Sequence, residues 1–290
     1  MQQPSNDSRE SSLFLTRRVR GFTVVVSRTY SRLLESPKFE SLLADACRYS
    51  MEKRKNGVPS VVTDELPGGV PVHVKYWQPR REHHRLKTLW KPSRPESAGV
   101  QHVDLTRKGL PVTELIMYAY RKLPTPRWGL YLAGITVTRL EDCEDLKVRL
   151  GNYRTPWKEN RTATLRQLAG LLTELHEQGY VHGDFMLKNV LYCPGRSFPL
   201  LLTDLESGFR MRVKTEFGRK GRTRDLFRMV VSLARNGFSR DEIIAFLRAY
   251  GPGEGVLWDA GKPESGLDRF LTLPDRRAVE LARWAKNQSA

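Results

Sequence analysis

Little in this chain suits a secreted or membrane-spanning protein. Cysteine is scarce: Cys47, Cys143 and Cys193 are the only three in 290 residues, far apart and without paired spacing. That distribution argues against a disulfide framework and against a zinc site, and it fits a reducing cytosol. No run of 18 apolar residues occurs, so nothing is expected to span a bilayer. The opening MQQPSNDSRESS has no apolar core; it does not read as a signal peptide, and residues 1–12 read as a disordered tail. Acid is in short supply as well, with 32 Asp and Glu against 49 Lys and Arg and a formal net charge of +17. A surplus of that size implies an anionic partner: nucleic acid, an acidic membrane face or a phosphorylated substrate.

What is present suits one two-lobed unit or two small domains, with enough material for a core. Residues 13–140 read as a β-rich lobe. Its leader carries a strand candidate over 22–26 and a short helix over 38–46, begun by Ser36-Pro37, and has no expected role beyond packing on that lobe. A turn with one glycine, KRKNGVPS over 53–60, precedes strands at 60–66 and 70–77, which Pro67-Gly68-Gly69 joins as a hairpin. A helix over 96–108 and apolar strands at 112–120 and 129–137 follow. Residues 141–290 read as helical. A helix start with acids in its first turn is expected at 143–146. The clearest helix is 162–178, with Leu165, Leu168, Leu172 and Leu175 three or four apart and Gly179 where a left-handed C-cap belongs. Packing helices are expected at 224–236, at 239–250 with Ser239 as cap, and at 274–286, with a glycine-rich loop over 251–266.

The organising stretch is YVHGDFMLKNVLY, residues 180–192. Asn189 follows Asp184 by five positions, and a second apolar run at 198–202 ends in Thr203-Asp204-Leu205-Glu206. Two short strand-like runs thus carry an Asp and an Asn before the first and an Asp closing the second. That layout suits phosphoryl transfer: Asp184 to orient and deprotonate a hydroxyl, Asn189 and Asp204 to hold Mg²⁺ against the ATP phosphates. His176 and His182 read as scaffold.

HGDxxxxN followed by DLE resembles the protein-kinase-like superfamily and, within it, the lipopolysaccharide kinases that phosphorylate Kdo or heptose. The resemblance covers roughly residues 50–235. It implies an α+β, two-lobed fold with a small β-rich N-lobe over 13–140 and a mostly helical C-lobe over 141–290. It implies ATP and Mg²⁺ as cofactors and Lys75, in VHVKYW, as the lysine that pairs with the α- and β-phosphates. Glu96 is then the first choice for that lysine's acidic partner and Asp104 the second, while Asn56 and Gly57 fall in the phosphate-covering loop. The hinge over 138–141, ending at Glu141, would hold adenine. Gly183, where protein kinases have Arg, points to small-molecule, sugar or lipid acceptors; Glu206 replaces the Gly of the DFG motif. Met186 departs from the pattern, since a basic residue more often stands two positions after the Asp, and the lysine here is Lys188. No long activation segment and no Ala-Pro-Glu motif follow.

Two basic clusters stand out. Seven Lys or Arg lie between Lys75 and Arg94 against Glu82, with His83 and His84 as part of a solvated face; seven more lie between Arg210 and Arg224 against Glu216. They suit an anionic glycolipid substrate and a peripheral, salt-reversible seat on the inner face of the cytoplasmic membrane. The alternatives are an atypical, Rio-like protein kinase, an aminoglycoside or choline phosphotransferase, and a basic pseudokinase that binds nucleic acid. Cationic acceptors want acidic pockets, so the charge disfavours the second of these. The intact Lys75, Asp184, Asn189 and Asp204 disfavour the third.

Overall fold

The computed structural model describes residues 13–51, 60–77, 92–123, 130–151, 161–210, 216–251, 263–271, 278, 281–282 and 285–286. The expected tail over 1–12, the phosphate-covering loop with Asn56 and Gly57, and most of the first basic cluster lie outside the described residues. So does most of the helix expected over 274–286. The chain forms two compact units, Met1–Asp142 and Cys143–Ala290.

The first unit is built on a six-stranded antiparallel sheet. Its strands are β1 (Phe14–Val19), β2 (Phe22–Ser27), β3 (Ser60–Leu66), β4 (Val70–Trp77), β5 (Leu115–Leu123) and β6 (Leu130–Arg139), in the order β1-β2-β5-β6-β4-β3. The leader is therefore part of the lobe: β2 pairs with β5 and adds a hairpin to the sheet edge. Helix α1 (Pro37–Met51) lays Phe39, Leu42, Leu43 and Ala46 on one face of the sheet, at the i, i+3, i+4, i+7 spacing of an apolar helical stripe. Against them come Val72, Val74 and Tyr76 from β4 and Ile135 and Val137 from β6. Burying Phe39, Leu42 and Leu43 contributes on the order of 5–9 kcal/mol.

The other face takes helix α2 (Arg94–Arg107) at close range. A Cβ on Gly99 would stand 2.2 Å from the Tyr118 ring, and one on Gly134 2.5 Å from Pro95, so both contacts require the absence of a side chain. Strand alternation sends Lys75 and Trp77 to this face. The Trp77 indole donates to Thr136 at 2.8 Å, and the Tyr131 hydroxyl donates to the Trp77 carbonyl.

The second unit is mostly helical. It begins with β7 (Glu144–Asp145) and the short helix α3 (Leu146–Gly151), then α4 (Arg161–Glu177), β8 (Tyr180–Val181), β9 (Val190–Tyr192), β10 (Leu200–Leu202) and β11 (Phe209–Arg210). Helices α5 (Glu216–Arg235), α6 (Arg240–Tyr250) and α7 (Pro263–Leu271) complete it. Leu165, Leu168, Leu172 and Leu175 of α4 are all buried, and Gly179 takes a positive φ of 81° where the helix ends. Ser239 caps α6 and exchanges bonds with Glu242, a capping box.

Four expectations are corrected. Glu144 and Asp145, expected in a first helical turn, form β7, because they pair with Tyr192 and Leu191 of β9. Helix α5 starts eight residues before position 224, so the second half of the Arg210–Arg224 cluster is helical. The glycine-rich loop expected up to 266 gives way to α7 at Pro263. Finally, Cys143 and Cys193 are not unpaired but joined in a disulfide, with Cα atoms 4.3 Å apart. Continuing the β7–β9 register one step beyond Glu144–Tyr192 brings these two residues opposite each other; only Cys47 is free. The cysteine-based argument for a reducing compartment loses its support.

Candidate active site

All of the loop chemistry sits in the second unit. Strand β8 delivers the chain into His182-Gly183-Asp184, a 3₁₀ turn over Leu187–Asn189 leads on to β9, and β9 turns back as β10. The register Leu202–Val190 extends one residue further, where the Thr203 N–H donates to the Asn189 carbonyl at 3.1 Å. The hairpin therefore sets Asp204 beside the segment that carries Asn189. Asp204 has φ 59° and ψ 47°, a left-handed conformation that Asp tolerates better than most residues and that tends to occur at functional turns.

Asn189 is buried and reaches back to the loop, its Nδ2 donating to the Asp184 carbonyl at 2.7 Å and to Asp184 Oδ2 at 3.3 Å. Since its nitrogen is used, the amide oxygen is the atom it can offer a cation. His182 ties the two motifs together. Its Nε2 faces the Thr203 carbonyl at 3.0 Å, which assigns the proton there, so Nδ1 accepts the Asp184 N–H at 3.3 Å. Gly183 has φ 79°, and a Cβ there would lie 2.1 Å from the Ser207 carbonyl oxygen. No other residue fits at this position.

The residues that hold this loop were missed in the sequence. Asp225, fully buried on α5, accepts the His182 N–H at 2.7 Å and the Gly183 N–H at 2.8 Å. It also faces His176 Nε2 at 3.3 Å. Burial pushes the His176 imidazole below its ordinary value, so it is neutral, with Nε2–H donating to Asp225 and Nδ1 accepting from the Tyr250 hydroxyl at 2.8 Å. The Ser232 Oγ accepts the Leu187 N–H at 3.2 Å. Arg228 donates to Asp184 Oδ1. Asp225, Arg228 and Ser232 stand at i, i+3, i+7, a polar stripe in the otherwise apolar run DLFRMVVSLA. That stripe is the signal the sequence offers, in a segment whose apolar periodicity by itself points only to a packing helix.

In the first unit, Lys75 holds its ammonium 4.6 Å over the Trp77 ring, and the Arg94 guanidinium lies 5.3 Å over the same ring. Lys75 and the first turn of α2 thus share Trp77. Glu96, in that turn, accepts the Ser93 N–H at 3.0 Å and pairs with Lys122. Asp104 lies in the last turn of α2, and Glu141 follows β6 at the end of the unit. Within the second basic cluster Arg219, Lys220 and Arg224 are exposed, whereas Arg222 is only 4% exposed and belongs to the interior. No group of three or more His, Cys, Asp or Glu among the described residues could hold a metal ion. An Asp and an Asn completed by phosphate oxygens and water is instead how Mg²⁺ is commonly held beside a nucleotide, so the donor set fits that ion.

The model of the lipopolysaccharide kinase (Kdo/WaaP) family matches residues 50–250. The solved structure of WaaP in complex with acyl carrier protein is similar to this chain, with a TM-score of 0.59 and 20% identity over 89% of this chain and 98% of that one. No curated protein matches the sequence.

Proposed function

Because the chain belongs to the lipopolysaccharide kinase (Kdo/WaaP) family and is a phosphotransferase, we propose that it transfers the γ-phosphoryl group of ATP to a sugar hydroxyl of a lipopolysaccharide core glycolipid, at the inner face of the cytoplasmic membrane. The observation that carries this reading is the loop around Asp184, whose backbone is clamped by Asp225 and whose carboxylate faces Asn189 and Arg228. Such a loop holds one carboxylate in a fixed direction, as alignment of a hydroxyl with a phosphorus atom demands. Asp184 takes the hydroxyl proton as the oxygen–phosphorus bond forms and ADP leaves. Asn189 and Asp204 would hold Mg²⁺, which when bound would offset the negative charge of the phosphates.

Lys75 pairs with the α- and β-phosphates, Glu96 remains its candidate acidic partner, Asn56 and Gly57 cover the phosphates, and the backbone before Glu141 holds adenine. The exposed Arg219, Lys220 and Arg224 favour an anionic surface, and no described helix is long and apolar enough to cross a membrane. The WaaP complex makes acyl carrier protein a further partner to test, by co-purification.

The test is the purified chain with Mg²⁺-ATP and dephosphorylated core glycolipid, read by mass spectrometry. One added phosphate on a core sugar is expected. Transfer to protein substrates but not to glycolipid would overturn the acceptor.

A further inference from the structure

An anionic base beside a triphosphate needs a compensating cation, and the loop itself does not hold one. Phe185 and Leu187 are fully buried, Met186 occupies the position two after Asp184, and the loop's one lysine, Lys188, is exposed to solvent. The cation comes from elsewhere. Arg228, 44 residues on and one turn beyond Asp225 on α5, donates to Asp184 Oδ1, with the two side chains 21% and 22% exposed. Asn189 contacts the other carboxylate oxygen, Oδ2. A guanidinium has five N–H donors in a planar fork. Here one terminal nitrogen binds Asp184, and the Nε–H is buried and has no hydrogen-bond partner among the described residues, so the N–H groups that can face a substrate are those of the two terminal nitrogens.

We propose that Arg228 is the side-chain cation that accompanies the base Asp184 in the phosphoryl-transfer site, standing in for a basic residue at position 186: it fixes the Asp184 carboxylate through Oδ1 and turns the remaining N–H groups of its terminal nitrogens to the transferring phosphoryl group. The inference rests on the kinase reading above. In the step itself the acceptor oxygen bonds to Pγ, the bond from Pγ to the bridging oxygen of ADP breaks, and the hydroxyl proton passes to Asp184. Arg228 exchanges no proton. It offsets the negative charge that the base and the phosphoryl oxygens place side by side. The same helix thus has two duties, Asp225 setting the backbone of the loop and Arg228 setting its charge.

The experiment compares the full-length wild type with Arg228→Met, Arg228→Lys and the double variant Met186→Lys/Arg228→Met. Glycolipid phosphorylation and acceptor-free ATP hydrolysis are both followed, and melting temperature is recorded for each protein. Arg228→Met should lower kcat about 10²–10³-fold, the size of losing one preorganised donor to the transition state, with the KM for ATP nearly unchanged. Arg228→Lys should recover part of the rate, and Met186→Lys should recover at least about tenfold in the Arg228→Met background by restoring a charge at the same centre. Near-wild-type kcat in Arg228→Met would overturn the proposal. So would a loss that neither lysine repairs, whether or not the melting temperature falls. A wild type that hydrolyses ATP but leaves the glycolipid unmodified refutes the acceptor alone, and Arg228 is then judged on hydrolysis. A wild type that does neither overturns both readings.

Discussion

Replacing Asp225 tests whether α5 governs the loop from below. The side chain is fully buried and accepts two backbone N–H groups, from His182 and Gly183, together with the His176 imidazole. Alanine would leave both backbone donors buried without acceptors, at about 1–3 kcal/mol each. Against a total stability of about 5–15 kcal/mol, that change risks the fold itself. Asparagine is the sharper probe, because it keeps the shape and one acceptor oxygen while turning an NH₂ toward the other backbone donor. The loss is then one charge-assisted bond, about 1.5–3 kcal/mol. With a urea m-value of about 2 kcal/mol/M, the unfolding midpoint should fall by roughly 1 M. The loop backbone would be free to shift by a fraction of an ångström, and displacement on the order of 1 Å in such a site can cost about 10²-fold in rate. Urea titration followed by circular dichroism and steady-state transfer kinetics read the two effects. An Asp225→Asn protein with both midpoint and kcat unchanged would refute the assignment of Asp225 as the clamp.

Three further outcomes are expected. Asp184→Asn should reduce transfer at least ~10²-fold while calorimetry shows Mg²⁺-ATP binding intact, and Asp204→Asn should weaken that binding; the reverse pattern would exchange their roles. Burial pushes the His102 imidazole down to about 4 while it donates to the Thr113 carbonyl at 2.6 Å, so the unfolded chain, titrating at the ordinary 6.5, takes up the proton first as pH falls. This contribution is complete above pH 6.5 and lost toward pH 4, by about 3 kcal/mol at the lower limit, and His102→Gln should flatten the pH dependence of the urea midpoint over that window. Charge reversal at Arg219, Lys220 and Arg224 should abolish co-sedimentation with anionic vesicles at physiological salt, each charge contributing roughly 1 kcal/mol at such a surface; unchanged binding would remove this face from the membrane reading.

Much of the architecture was legible because it is written in local patterns. The hairpin of β3 and β4 around Pro67-Gly68-Gly69, the leucine period of α4 and the Ser239 cap depend on neighbours within a few residues, and each stands where those patterns put it. The motif around Asp184 was equally readable, since its spacing is itself local. What only the tertiary structure decided are contacts whose partners are distant in the chain. Cys143 meets Cys193 across 50 residues through the β7–β9 register, and the same pairing draws Glu144 and Asp145 out of a helical turn into a strand. Nothing in the spacing of three cysteines encodes that register. Asp225 reaches back 43 residues to the His182 N–H, and Arg228 reaches 44 to Asp184. Taken singly, each reads as one more charge on a basic helix. A buried carboxylate acquires its meaning from the backbone donors it satisfies, and those donors come together only when the chain has folded.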